Sequence, residues 1–261
     1  MCATESTMRV DRIVNYFHCE ADNVGDRMCG PAQYLWPTMY RSAPIRPKLE
    51  DPSDVAIVGG GGIFSQLAVT RSSIFELNPK ARVIAWGVGL PPKGTRDQEV
   101  SEVAMTFSAF GTRNYDRREE FPFVPCASCL SPLFDQVGPP QNDFVVFLHR
   151  RKPGPLAIPS GIPTLSNAMR HPKEVIDFIA AGDTVVTSSY HGVYWAQLLG
   201  RRVVCVPYNS KFRTFQHIPT IAEPDTWLSV LKTSNRTESL LQEYREINRT
   251  FAEKTLETQS D

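Results

Sequence analysis

Short, uninterrupted runs of β-branched and aliphatic residues recur along this chain and constrain its fold more than any other feature. Val55–Val58, Arg82–Trp86, Phe144–His149, Thr184–Ser188 and Arg202–Pro207 are too short for helices, and Val10–Phe17 begins the series. Several are apolar without alternation, so both faces of the strand need cover, the condition of a parallel sheet layered between helices. Helix-like segments separate them. Pro172 takes a favoured N1 position ahead of Lys173–Ala181, which Gly182 stops, and Tyr190–Leu199 ends at Gly200. Leu240, Leu241, Tyr244, Ile247 and Phe251 form a helical stripe near the C-terminus. This alternation predicts an α/β fold. The polar, Pro-rich stretch Gly138–Asn142 breaks the pattern before a new strand, which predicts two α/β halves, residues 1–138 and 139–261.

Charge excludes several function classes. With 28 basic and 28 acidic residues the chain lacks the basic surplus that nucleic acid or an anionic membrane surface requires. Arg117–Arg118 and Arg150–Lys152 read as solvated faces. No run approaches the roughly 20 apolar residues of a membrane span, and Met1–Thr7 lacks the order of a secretory signal. A cytoplasmic protein is expected, at most peripherally associated with the membrane, and the N-x-T sequons at Asn235 and Asn248 then carry no meaning. Of six cysteines, Cys126 and Cys129 have metal-ligand spacing, but no second pair follows, so reduced structural thiols and no metal are expected.

Three glycine-bearing turns follow three strands. Asn23-Val24-Gly25-Asp26 follows the first, where Asn23 or Asp26 either caps a helix continuing through Tyr34 or meets a ligand. Gly59–Gly62 follows the second, either as a tight turn or as a ligand-facing loop with Gly60 and Gly61 near the ligand. It fits neither phosphate-cradle template. Trp86–Gly89 follows the third. Such turns gather at the carboxyl edge of a parallel sheet, where ligands bind. The most informative stretch runs from Thr184 to Gly200. A buried strand leads through Thr187, Ser188 and Ser189 into a helix beginning at Tyr190–His191. Hydroxyls there cap the helix, its free N–H groups attract an anion, and the helix end favours a neutral, proton-accepting His191. Lys211 follows the next strand and can reach the same edge.

In this order the pieces resemble the polysaccharide pyruvyltransferase family: Asn23–Asp26, Gly59–Gly62, Trp86–Gly89, Arg113, Thr187–His191 and Tyr208 with Lys211. The resemblance spans residues from about 12 to 215. It implies two Rossmann-like halves with a cleft between them, similar to GT-B glycosyltransferases. It further implies transfer of pyruvate from phosphoenolpyruvate to a sugar as a ketal, the acceptor being a cell-surface saccharide or its lipid-linked precursor at the inner face of the membrane. Phosphoenolpyruvate serves as donor substrate and no cofactor is implied. His191 and Asp26 become the catalytic candidates. Asn23, Gly25, Gly60, Gly61, Arg113, Ser188, Ser189, Tyr190 and Lys211 become the substrate-binding ones. Many members carry Arg where this chain has Ser189, a departure that bears on how one anionic end of the donor is held.

The chemistry asks for these residue types. A donor with a carboxylate and a phosphate calls for Arg and Lys partners. Ketal formation moves protons at each step, which suits histidine. Breaking a C–O rather than a P–O bond needs no metal at phosphorus. Two other readings share parts of the pattern. A GT-B nucleotide-sugar glycosyltransferase would need a carboxylate for the ribose, for which Glu223, beside Pro224, is the candidate. A non-catalytic sugar-binding module would keep the glycine turns without needing Arg113, His191 and Lys211 together.

Overall fold

The computed structural model describes residues 13–17, 23–45, 53–152, 154 and 156–256. Cys2, Cys19 and the start of the first predicted strand lie outside them. Five strands form the first sheet: β1 (Ile13–Phe17), β2 (Tyr40–Pro44), β3 (Val55–Gly61), β4 (Arg82–Val88) and β5 (Ala109–Thr112), in the order β2-β1-β3-β4-β5. Five more form the second: β6 (Asn142–Leu148), β7 (Thr164–Ser166), β8 (Gly182–Thr187), β9 (Arg202–Cys205) and β10 (Thr220–Ile221), in the order β10-β9-β8-β6-β7. Every pairing within the two sheets is parallel. Counted from its own first strand, each sheet has the order 2-1-3-4-5, a doubly wound arrangement whose direction of winding reverses between its first and third strands. Each half is a Rossmann-like unit, and the pair has a GT-B-like architecture.

The unbroken apolar runs have the cause the sequence suggests. Val145 and Phe147 of β6 join Val185 and Val203 in one core cluster, while Val146, Val186 and Val204 enter another. Consecutive residues thus serve opposite faces, and both faces are dry. The first sheet divides likewise, with Ala56, Val58, Val83 and Ala85 on one side and Ile57, Ile84 and Trp86 on the other. Each such buried Val or Ile contributes about 1.5–3 kcal/mol relative to exposure.

Helices cover these faces: α1 (Val24–Arg27), α2 (Ala32–Leu35), α3 (Phe64–Leu77), α4 (Asp97–Ala104), α5 (Pro172–Ala180), α6 (Tyr190–Leu198) and α7 (Leu241–Leu256). Every residue of α6 is buried, which its lack of a polar stripe allows. The helix predicted to run from Asn23 through Tyr34 is instead two short pieces. Gly30 and Pro31 divide them, because proline supplies no N–H and disfavours helical geometry in the residue before it. The terminal stripe packs as predicted but spans both halves. Asn248 of α7 is fully buried, accepting from Trp86 Nε1 at 2.8 Å and donating to the Pro125 carbonyl at 3.2 Å. Arg245 makes a two-pronged pair with Asp135 at 2.7 and 2.9 Å, and Tyr244 stacks on Tyr194 of α6. Among the described residues no helix is long and apolar enough to cross a membrane.

Candidate active site

A cleft of about 560 Å³ opens where the carboxyl ends of the two sheets meet. The first half contributes Asn23 and Asp26 beyond β1, Gly61 and Gly62 at the end of β3, Gly89 beyond β4 and Arg113 beyond β5. The second contributes His149 beyond β6, Ser189, Tyr190 and His191 beyond β8, and Tyr208 and Lys211 beyond β9. Each half therefore presents the crevice where its winding reverses, the usual ligand position in an open parallel sheet.

Eight of the eleven sequence candidates line the cleft: Asn23, Asp26, Gly61, Arg113, Ser189, Tyr190, His191 and Lys211. Gly25, Gly60 and Ser188 stand behind it. A Cβ on Gly25 would lie 2.1 Å from His191 Nδ1, so only glycine lets the imidazole rest on this turn. Gly60, at φ +70°, would bring a Cβ to 2.1 Å from the Cys29 Cβ, so here glycine serves both the backbone angle and close packing. Ser188 Oγ accepts from the His149 backbone N–H at 3.0 Å and so holds the end of β6.

Local bonds fix the cleft walls. Asn23 caps α1 by accepting from the Gly25 N–H at 3.1 Å, and its amide donates to Asp26 Oδ2 at 2.6 Å. Asn167 of the second half donates to Asn23 Oδ1 at 3.2 Å and accepts from the Arg150 N–H at 2.7 Å, which ties the halves at the cleft floor. The hydroxyl capping predicted for α6 is not made. Ser189 occupies the cap position without a side-chain cap bond, and it is Thr187 Oγ1 that accepts from the Ser189 N–H, at 2.9 Å.

The electrostatics favour an anion. Arg113 is buried, its guanidinium carbon 3.8 Å from the centre of the Tyr190 ring, and its Nη1 makes no hydrogen bond with the protein. A buried charged donor left unpaired is costly, typically 1–3 kcal/mol or more. Burial, with Arg113 and Lys152 close by, pulls the Lys211 ammonium down to about 7, and its Nζ donates to Tyr208 OH. Arg96, Arg151 and Lys152 also line the cleft, so cationic side chains reach it although position 189 is Ser.

Behind His191 lies a sulfur cluster that the sequence reading missed. His191 Nε2 is 3.3 Å from Cys29 Sγ and 3.6 Å from Cys126 Sγ, and the two sulfurs are 3.4 Å apart. Burial pushes the Cys126 thiol up, but hydrogen bonds with Cys29, His191 and Ser128 outweigh it and hold it well below the usual thiol range. Cys29 moves the opposite way, raised by its bond with Cys126 and by burial. Among the described residues, these three form the group whose donor atoms stand close enough to share a metal ion. Cys129, the other half of the predicted motif, instead accepts from Asn248 Nδ2 at 3.4 Å.

The sequence pattern of the polysaccharide pyruvyl transferase family matches residues 10–210, a span that holds every cleft residue except Lys211 and Thr214. The chain belongs to that family. It is accordingly an enzyme, a transferase that moves a pyruvyl group onto a polysaccharide. No curated protein sequence matches it. Solved structures with the same fold include a protein assigned as a UDP-N-acetylglucosamine 2-epimerase of Listeria monocytogenes. It is 11% identical, with 94% of this chain and 91% of that one covered at a TM-score of 0.52. The glycotransferase of kitacinnamycin is 10% identical, with 95% and 99% covered, also at 0.52. At these identities the likeness is one of fold alone. Glu223, the carboxylate a glycosyltransferase reading would use, is exposed on a turn beyond β10 and does not line the cleft.

Proposed function

We propose that this pyruvyl transferase takes its pyruvyl group from phosphoenolpyruvate and joins it as a ketal to two hydroxyls of a saccharide, releasing phosphate. The observation that carries this reading is the buried Arg113 guanidinium, with an N–H that finds no partner in the protein, on the wall of a cleft that Lys211 also lines. A donor bearing a carboxylate and a phosphate matches those two cations, and Arg can grip either group with two N–H bonds.

The sequence of events follows from the bonds. A proton is delivered to the methylene carbon, leaving positive character at the central carbon. A sugar hydroxyl attacks that carbon and gives up its proton. The C–O bond to phosphate breaks, and a second hydroxyl closes the ketal. His191 and Asp26, from opposite halves, are the proposed proton-handling groups. Asn23, Ser189 and Tyr190 are the proposed substrate contacts, with Gly25, Gly60 and Ser188 acting through the residues they pack against. A lipid-linked acceptor would bring this chemistry to the inner membrane face. Incubation of the purified chain with phosphoenolpyruvate and candidate glycans tests the reading. Acceptor-dependent phosphate release is expected, and release of uridine diphosphate from a sugar nucleotide instead would overturn it.

A further inference from the structure

We propose that Cys29 and Cys126 are a reversible disulfide site seated directly behind His191. The two cysteines come from different segments, 97 residues apart in sequence, yet their sulfurs stand 3.4 Å from each other. Both also touch the same imidazole nitrogen. Cys29 Sγ–H donates to the Gly25 carbonyl at 3.0 Å, so it sits as a thiol, whereas a shared metal ion would require both sulfurs as thiolates. Two cysteine sulfurs in direct contact are arranged to close to a disulfide once either is oxidised. His191 lines the cleft while Cys29 and Cys126 are buried behind its ring, so a small oxidant reaches them when that ring swings aside.

The chemistry balances with hydrogen peroxide. The Cys126 thiolate attacks one peroxide oxygen, the O–O bond breaks, and the departing hydroxide takes a proton to become water. Cys29 then attacks the sulfenic sulfur, the S–S bond forms and the S–O bond breaks, and hydroxide leaves with the Cys29 proton as a second water. Two thiols have lost two electrons to the peroxide, and dithiothreitol reverses the change by thiol exchange. Closing the bond draws the sulfurs together and removes both thiols from His191 and Gly25.

The covalent step does not depend on the donor, but its effect on turnover rests on the function proposed above. In a Cys2→Ser, Cys19→Ser background, peroxide treatment followed by alkylation and unreduced peptide mapping should reveal a Cys29–Cys126 linkage. That linkage should persist with Cys129→Ser added and vanish with either Cys29→Ser or Cys126→Ser. Phosphate release from phosphoenolpyruvate should fall about 10²-fold on oxidation, as for an ångström-scale displacement of a reacting group, and return with dithiothreitol. Two results overturn the proposal: other thiols oxidise while this pair stays unlinked, or the isolated protein holds a stoichiometric metal that must be chelated before the pair reacts. A chain that forms the linkage but never releases phosphate would fail the functional reading alone.

Discussion

The two halves share a strand order and differ in what they bring to the cleft. From the first come turns whose value lies in small size: Gly25 makes room for an imidazole, and Gly60 for a cysteine side chain. Beyond these it offers a capped Asn23–Asp26 turn and one buried arginine. The second offers His191 at the start of a wholly buried helix, and Lys211 with its ammonium drawn down to about 7. Winding decides where each half can bind something. Residue content sets the contrast: both halves bring cations, while close-packed glycines come from the first and the imidazole from the second.

The strongest way to break this contrast is His191→Asn. If proton transfer belongs to the second half, kcat should fall about 10²–10⁴-fold with a smaller change in donor affinity. Near wild-type kcat would move the role to Asp26 and the first half. Gly25→Ala sharpens the same contrast from the other side. The added methyl must displace the His191 ring, so kcat should drop about 10²-fold while circular dichroism shows the fold retained. An unchanged rate would mean the ring has no required position. Arg113→Ala should weaken phosphoenolpyruvate binding by about 1.5–3 kcal/mol in calorimetry, the loss of a charged hydrogen bond. Equal affinity would remove the first half from donor binding. The smallest effect concerns pH. Lys211 pairs with an anion only when protonated, so donor affinity should decline as pH rises through about 7, and Lys211→Met should flatten that slope. A wild-type slope in the variant would assign the titration elsewhere.

Much of this was legible in the sequence because it is local. A strand dry on both faces writes an apolar run, and β3, β4, β6, β8 and β9 did so. The stripe ending at Phe251 and the start of α5 at Pro172 were equally plain. Edge strands were not. β2 is largely exposed and carries Arg41, Ser42 and Pro44, and β10 is two residues long, so neither leaves an apolar signature. The sulfur pair was invisible for a different reason. Nothing near Cys29 points to Cys126, since their meeting depends on the packing of three distant segments. His149 did carry a signal. It follows the first strand of its sheet as the Asn23 turn follows β1, a correspondence that appears only once the two halves are laid over each other.

The helix α7 touches Trp86, Cys129 and Asp135 of the first half and Tyr194 of the second. A clasp of that kind has a thermodynamic consequence. Swinging the halves apart would break the buried Asn248–Trp86 hydrogen bond, at a net cost of about 0.5–1.5 kcal/mol. That cost favours the crevice at its present width, and to that extent less of the free energy of binding goes into drawing the walls together.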